Sequence, residues 1–162
     1  MQAYIFIETG ILIAVAIALC WAAATDLRYR RISNRLSLTI VGLFLVFSVT
    51  QLLQGESWKS ALVWPAVSAF LVFVAGAALF AAHLMGGGDV KLLAAIALFA
   101  GPALGLSFVL YVTIAGGFVA LVTLLHARLK STNLSEAKVP YGVAIVLGGF
   151  WVCFQKFSAL SA

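Results

Sequence analysis

The sequence predicts an all-α, polytopic membrane protein with six transmembrane helices, the fourth of them short, and with the N-terminus outside. Of its 162 residues, 64% are hydrophobic and 9% are charged, whereas an ordinary soluble domain is about half apolar and about a quarter charged. The mean hydropathy of +1.15 excludes a soluble globular domain, a disordered tail and a disulfide scaffold. It also argues against nucleic-acid binding, despite the net charge of +5. Because a spanning helix takes about 20 residues, we expect residues 1–162 to form a single membrane-embedded domain.

The first three apolar runs cover residues 4–24, 36–54 and 61–84. No basic segment precedes the first run and several arginines follow it, which argues against a cleaved signal peptide and places the N-terminus outside. A polar turn precedes the third run, and Trp58 and Trp64 there fit an interfacial aromatic belt. Pro65 falls in the first turns of this run, where it costs little.

A longer apolar stretch, residues 92–126, predicts two passes rather than one. As a single helix it would be roughly 50 Å long, too long for a hydrocarbon core of about 30 Å. Gly101-Pro102 offers a break, because proline lacks a helix donor and restricts the residue before it. We therefore predict a short fourth pass over 90–100, a fifth over 103–126, a basic loop over 127–140 and a last run over 141–157.

The distribution of basic residues supports six passes. In this arrangement Lys59 and Lys156 alone lie outside, and eight basic residues lie in the cytoplasm. Those eight are Arg28, Arg30, Arg31, Arg35, Lys91, Arg128, Lys130 and Lys138. A single pass over 92–126 would instead carry the last three to the outside.

The five acidic residues divide into two groups. Glu8, Glu56 and Glu136 lie at run ends or in loops, and we interpret them as solvated structural residues. Asp26 and Asp89 each lie at the cytoplasmic end of an apolar run, where an acid is costly enough to be a functional candidate. Two carboxylates brought close share a proton, so one can act as base and the other as acid on a water nucleophile. This is aspartic protease chemistry, which needs no metal or other cofactor.

Structural explanations remain open for the same residues. Asp26 could pair with neighbouring arginines, and Asp89 could cap a helix that starts at Val90. The glycines at 86–88 could form an extended segment with positive φ that holds a substrate closely. They could equally form a flexible turn or allow close helix packing. His83 and His126 fit interfacial packing better than catalysis or metal binding.

Three segments resemble motifs of the type IV prepilin peptidases. Residues 86–92, GGGDVKL, resemble the GxGDxKL motif of that family, and residues 26–34, DLRYRRISN, resemble its partner motif of an Asp, five residues and Ile-Pro-Asn. Pro140-Tyr141-Gly142 resembles a third signature at the start of the last helix. The likeness covers nearly the whole chain and is greatest to the short CpaA/TadV-type enzymes of Tad/Flp pilus systems.

The resemblance implies a membrane aspartic endopeptidase of the bacterial inner membrane that cleaves the leader of prepilins or pseudopilins on the cytoplasmic side. Asp26 and Asp89 would be the catalytic pair. The residues implied to bind substrate or shape the loops are Gly86, Gly87, Gly88, Lys91 and Asn34. The implied partners are the prepilin, membrane lipid and a pilus assembly system, with no nucleic acid and no metal or other cofactor.

Two departures from the family bear on activity. Ser33 replaces the usual proline of the first motif, which could loosen that loop without removing activity. The larger, bifunctional members also N-methylate the pilin and carry paired CxxC motifs, whereas Cys20 and Cys153 lie singly within apolar runs. We interpret both cysteines as small buried hydrophobes, and we expect peptidase activity without methyltransferase activity.

For two polar residues near the acids the sequence leaves the role open. Lys91 could favour the ionised form of Asp89, attract an acidic group of the substrate, or simply anchor the topology. Asn34 could hydrogen-bond near Asp26, but we favour a helix cap. For the whole protein, the alternatives are a proton- or cation-coupled transporter or channel, and an inactive subunit of a pilus or secretion assembly.

Overall fold

The computed structural model describes residues 2–129 and 141–161, and every regular element in those ranges is helical. The elements are α1 (Gln2–Tyr29), α2 (Asn34–Leu53), a π-helical turn (Lys59–Val63), α3 (Trp64–Ala81), α4 (Gly87–Leu129) and α5 (Tyr141–Ser161). Five helices in this part of the chain are long and apolar enough to cross a membrane. The predicted all-helical membrane architecture is therefore confirmed.

The helices extend beyond the apolar runs that predicted them. α1 continues through Asp26 to Tyr29, and α4 begins at Gly87 rather than at the predicted Val90. Hydropathy marks only the apolar part of a helix, so polar or glycine residues in a terminal turn are missed. The expected place of Pro65 is confirmed, because it lies in the first turn of α3.

The predicted break at Gly101-Pro102 is present within α4. Gly101 has φ 59° and ψ −167°, which no helical residue adopts, and it separates segments 87–100 and 102–129. A positive φ is tolerated here because glycine has no Cβ. The hydroxyl of Ser68 on α3 donates to the Gly101 carbonyl oxygen at 3.1 Å, so the break is held by a neighbouring helix.

Both segments of α4 lie along α5. A Cβ built at Gly149 would be 3.1 Å from Ile96 of the first segment, and one built at Gly148 would be 3.1 Å from Phe108 of the second. Nearer the start of α5, Tyr141 lies beside Gly116. Positions on either side of Gly101 therefore reach adjacent residues of α5, and the chain turns back at this glycine.

The core is apolar and contains aromatic contacts between α2 and α4. Phe99 lies between Phe44 and Phe47, with ring centroids 5.5 and 5.6 Å apart. Other fully buried side chains come from α1, α2, α4 and α5, namely Leu19, Ile40, Leu92, Ile96, Phe108, Ile145 and Val152. Large apolar side chains also cover the outer surface, as expected where the surrounding solvent is lipid.

One cysteine prediction is wrong. Cys153 is buried, but Cys20 is exposed on α1, and neither forms a disulfide within the described ranges. A membrane-spanning helix is apolar on its lipid face as well as on its buried face, so hydropathy does not tell the two apart.

The interpretation of Glu8 as a solvated residue is also wrong. Its side chain is only 2% exposed, and Oε1 accepts hydrogen bonds from the Thr50 hydroxyl at 3.0 Å and from the Gln54 amide at 2.7 Å. Lys156 of α5 interacts electrostatically with it. The position of Glu8 near the end of an apolar run did not indicate these partners. Thr50 lies in α2, Gln54 lies at the C-cap of α2, and Lys156 lies in α5. Glu56 is exposed, as predicted.

Several sequence predictions lie outside the described residues. They concern Lys130, Glu136, Lys138 and Pro140, and the side chains of His126 and Arg128.

Candidate active site

Asp26 lies in the last turn of α1 and is 5% exposed. Its Oδ2 atom is buried and has no hydrogen-bond partner among the described residues. The backbone amides of Gly142 and Val143, in the first turn of α5, are nevertheless close enough to interact with the carboxylate, as is Arg30. Free N–H groups at a helix N-terminus favour a negative charge. The start of α5 therefore faces this carboxylate with compatible charge.

Gly142 permits this contact and is a site residue that sequence reasoning missed. A Cβ built on Gly142 would lie 2.6 Å from Asp26 Oδ2 and 2.9 Å from Ile32 Cδ1, closer than any side chain could stand. The Pro-Tyr-Gly signature pointed to this position as part of the resemblance. It did not reveal that the glycine touches Asp26, because the two residues belong to the first and last helices.

Asp89 is the third residue of α4 and is half-buried. The backbone N–H of Gly86 donates to its Oδ2 at 3.3 Å, the contact of an acid that closes a helix N-terminus. The proposed capping role is therefore present, but for a helix that starts at Gly87 instead of Val90. The carboxylates of Asp89 and Asp26 interact electrostatically, so the fold brings both acids to one end of the helix bundle.

The three glycines before Asp89 do not form the extended, positive-φ segment that we considered. Gly87 and Gly88 belong to the first turn of α4, and the positive-φ glycines in the described ranges are Gly55 and Gly101. What Gly88 provides is close approach, since a Cβ there would lie 2.9 Å from the Ile32 carbonyl oxygen. The glycine-rich segment thus brings α4 against the loop that follows Asp26.

A side chain at position 86 would be more crowded than one at position 87. A Cβ at Gly86 would lie 2.8 Å from Asp89 Oδ2, whereas one at Gly87 would meet nothing nearer than the Phe80 ring at 3.4 Å. The crowded positions, Gly86 and Gly88, match the two fixed glycines of the GxGD motif, and Gly87 matches its variable position. The geometry therefore gives a physical reason for the spacing of that motif.

Asn34 and Lys91 join the two halves of the site. Lys91 Nζ donates to Asn34 Oδ1 at 2.9 Å, which connects α4 to the start of α2. Our preference for Asn34 as a helix cap is wrong. Ser33 is the N-cap of α2, and its hydroxyl accepts from the Arg35 N–H at 3.2 Å. The serine that replaces the family proline thus has a role in starting α2.

His83 lies in the turn between α3 and α4 and is exposed, with φ 58°. Within residues 2–129 and 141–161, no group of three or more His, Cys, Asp or Glu side chains could hold a metal ion. The chemical groups of the described residues near the two carboxylates include the side chains of Lys91 and Arg30 and the backbone amides at the start of α5.

A sequence model of the type IV leader peptidase family matches residues 13–122. The chain belongs to the type IV leader peptidase family. The matched range is about two thirds of the chain and includes Asp26, Asn34, the glycines 86–88, Asp89 and Lys91. No curated protein and no solved structure gives a match. Membership of this family makes the protein a leader peptidase, and the five apolar helices make it a multi-pass membrane protein.

Proposed function

We propose that this leader peptidase is an aspartic endopeptidase that removes the leader from prepilins or pseudopilins, with Asp26 and Asp89 as its catalytic pair. The observation that carries the proposal is that two acids from distant parts of the sequence lie close enough to influence each other electrostatically. Close glycine contacts lie beside both acids, because Gly142 of α5 lies against Asp26 of α1 and Gly88 of α4 lies against Ile32 in the loop after α1. The substrate class comes from the family and from the motif resemblance.

The mechanism uses one proton shared by the pair. Two carboxylates that repel each other electrostatically do not both carry a charge easily, so one is protonated while the other is ionised. The ionised carboxylate takes a proton from water, and the water oxygen attacks the scissile carbonyl carbon. The protonated carboxyl then donates its proton to the leaving amine. The net reaction adds water across the peptide bond. The carboxyl that took the proton from water then passes it to the carboxylate that protonated the amine, which restores the starting state of the pair.

The direction in which the helices cross the membrane decides where cleavage occurs. We propose six passes, with segments 87–100 and 102–129 as the fourth and fifth, because both lie along α5 and meet at Gly101. The split of basic residues then places the N-terminus outside and both acids at the cytoplasmic face of the bacterial inner membrane. In this arrangement the protein forms one domain and acts as a short CpaA/TadV-type enzyme of a Tad/Flp pilus system, without methyltransferase activity.

Processing of a co-expressed prepilin tests the catalytic pair. We expect Asp26→Asn and Asp89→Asn each to lower the rate of leader removal by about a hundredfold or more. Glu56→Gln is the matched control, because Glu56 is an exposed acid outside the site, and it should process at the wild-type rate. Gel filtration in detergent shows whether each variant is folded. Wild-type processing by either folded Asp variant would refute the mechanism.

A further inference from the structure

The motif resemblance implies a prepilin that is cleaved just before its hydrophobic helix. We propose that an apolar groove between α3 and the second segment of α4 binds this substrate helix, so that the scissile bond is presented to the acids. This inference rests on the proposed function, since it names where the substrate of the same site is held. The α3–α4 groove encloses about 510 Å³, within the range of sites that bind drug-sized ligands.

The α3–α4 groove begins next to the candidate catalytic pair. Two of the residues that line it are Met85 and Tyr141. Met85 directly precedes Gly86, whose N–H donates to Asp89, and Tyr141 directly precedes Gly142, which lies against Asp26. At this end of the groove, each of the two lining residues is therefore the chain neighbour of a residue that contacts one of the acids. A segment lying in the groove would emerge beside both carboxylates.

The far end of the groove lies well inside the membrane-spanning region. On α3 the lining runs from Leu79 back to Leu71, and on α4 it runs from Ala120 back to Val109. At 1.5 Å per residue these stretches are roughly 12 and 16 Å long. The groove therefore has room for about two to three turns of a helix.

Within the membrane the occupant has to be a helix. The walls of the groove are almost entirely apolar, so they offer few hydrogen-bond partners to an extended backbone, and a chain in lipid must satisfy its backbone internally. Small residues line the groove at Ala75, Gly76, Gly116 and Gly117, and such residues allow two helices to approach closely. The side chains of Leu71 and Leu79 are exposed, so a helix can enter sideways from the bilayer.

A second apolar cavity, of about 560 Å³, lies between α2, α3 and α4. Its lining includes Asn34 and Lys91, and the hydrogen bond between these residues joins α2 to α4 at this point. It is lined by neither Met85 nor Tyr141. We therefore assign the substrate helix to the α3–α4 groove.

Gly117 allows the groove to be filled without disturbing the fold. It is exposed, and a Cβ built there meets no atom within 4 Å. Gly10 of α1 has the same exposure and the same open space but does not line the groove. Replacing an exposed helical glycine favours the helix in both cases. Gly117→Ala, Gly117→Leu and Gly117→Phe form the test series, with Gly10→Leu and Gly10→Phe as matched controls.

The measurement is the initial rate of leader removal against prepilin concentration, with purified enzyme in proteoliposomes. We expect the KM for full-length prepilin to rise with side-chain size at position 117, by roughly tenfold for Leu and more for Phe, while kcat changes less. The Gly10 variants should keep the wild-type KM. A photoreactive p-benzoylphenylalanine at position 117 should crosslink to the prepilin, and the same residue at position 10 should not.

The possible results separate this inference from the catalytic proposal. If the Gly117 series keeps the wild-type KM and position 117 crosslinks to lipid alone, the groove holds lipid and the inference is wrong. Processing that survives Asp26→Asn and Asp89→Asn refutes the catalytic pair, whereas a prepilin crosslink from position 117 still supports the docking site. A rise in KM for Gly10→Phe equal to that for Gly117→Phe would also overturn the inference, because the effect would not be specific to the groove.

Discussion

Replacement of Gly88 by alanine should separate the two elements that bring the acids together. A Cβ at this position would lie 2.9 Å from the Ile32 carbonyl oxygen and 3.2 Å from the Ile32 Cβ. Carbon–oxygen contacts of this kind are comfortable at about 3.3–3.6 Å. One of the two backbones therefore has to move by roughly half an ångström. Ile32 follows Asp26 by one loop and Asp89 is the next residue after Gly88, so the shift falls on the catalytic pair.

The size of the effect follows from this displacement. A misplacement of about 1 Å can cost about a hundredfold in rate, so half of that should lower the rate of leader removal by roughly tenfold. Overpacking costs about 1–3 kcal/mol of stability, and the better helix propensity of alanine returns up to about 1 kcal/mol. We expect Gly88→Ala to remain folded, with a slightly lower melting temperature and a large loss of activity.

Gly87→Ala is the matched control, because it changes the neighbouring glycine in the same helical turn. A Cβ there would be 3.4 Å from the Phe80 ring, an ordinary contact, so we expect nearly wild-type cleavage. The assay compares initial rates of prepilin cleavage for the two variants, alongside thermal unfolding in detergent. Equal rates for Gly88→Ala and Gly87→Ala would refute the reasoning from close approach.

Three further predictions test other contacts. Glu8→Ala should lower the free energy of unfolding by about 1–3 kcal/mol, because the buried hydrogen bonds from Thr50 and Gln54 to Glu8 are lost; thermal denaturation measures this, and cleavage per folded enzyme should be unchanged. Lys91→Met and Asn34→Ala should each slow cleavage a few-fold, and the double variant should be no slower than either; additive losses in this rate assay would contradict a shared role for their hydrogen bond. Ser33→Ala should cost about 1 kcal/mol through the lost N-cap, seen as a lower melting temperature, and a stability unchanged from wild type would contradict the cap.

Several features of the fold could be predicted from short segments of the sequence alone. The apolar runs predicted the helices because a membrane-spanning helix needs a long apolar stretch. Gly101-Pro102 predicted the break because both residue types act on their own backbone. The two Asp motifs predicted the acids of the candidate site, because an acid at the end of an apolar run is costly enough to be a functional candidate.

Contacts between distant segments were not predictable in the same way. Glu8 was expected to be solvated, but it accepts hydrogen bonds from Thr50 of α2 and from Gln54 at the C-cap of α2. Asn34 was expected to cap α2, whereas Ser33 caps it and Asn34 binds Lys91 of α4. Each error concerns which residue a polar side chain meets, and that depends on how the helices pack.

By itself the sequence determined the class of protein and the approximate position of its helices, because composition and local backbone chemistry are written along the chain, and it predicted the two acids of the candidate site. The tertiary structure decided that Asp26 and Asp89 lie close enough to interact, that Gly88 and Gly142 are points of close approach, and that Met85 and Tyr141 line the α3–α4 groove. In lipid, apolar residues cover both the buried and the exposed faces of a helix, so hydropathy does not predict which faces meet. Steric fit at the small residues selects those faces.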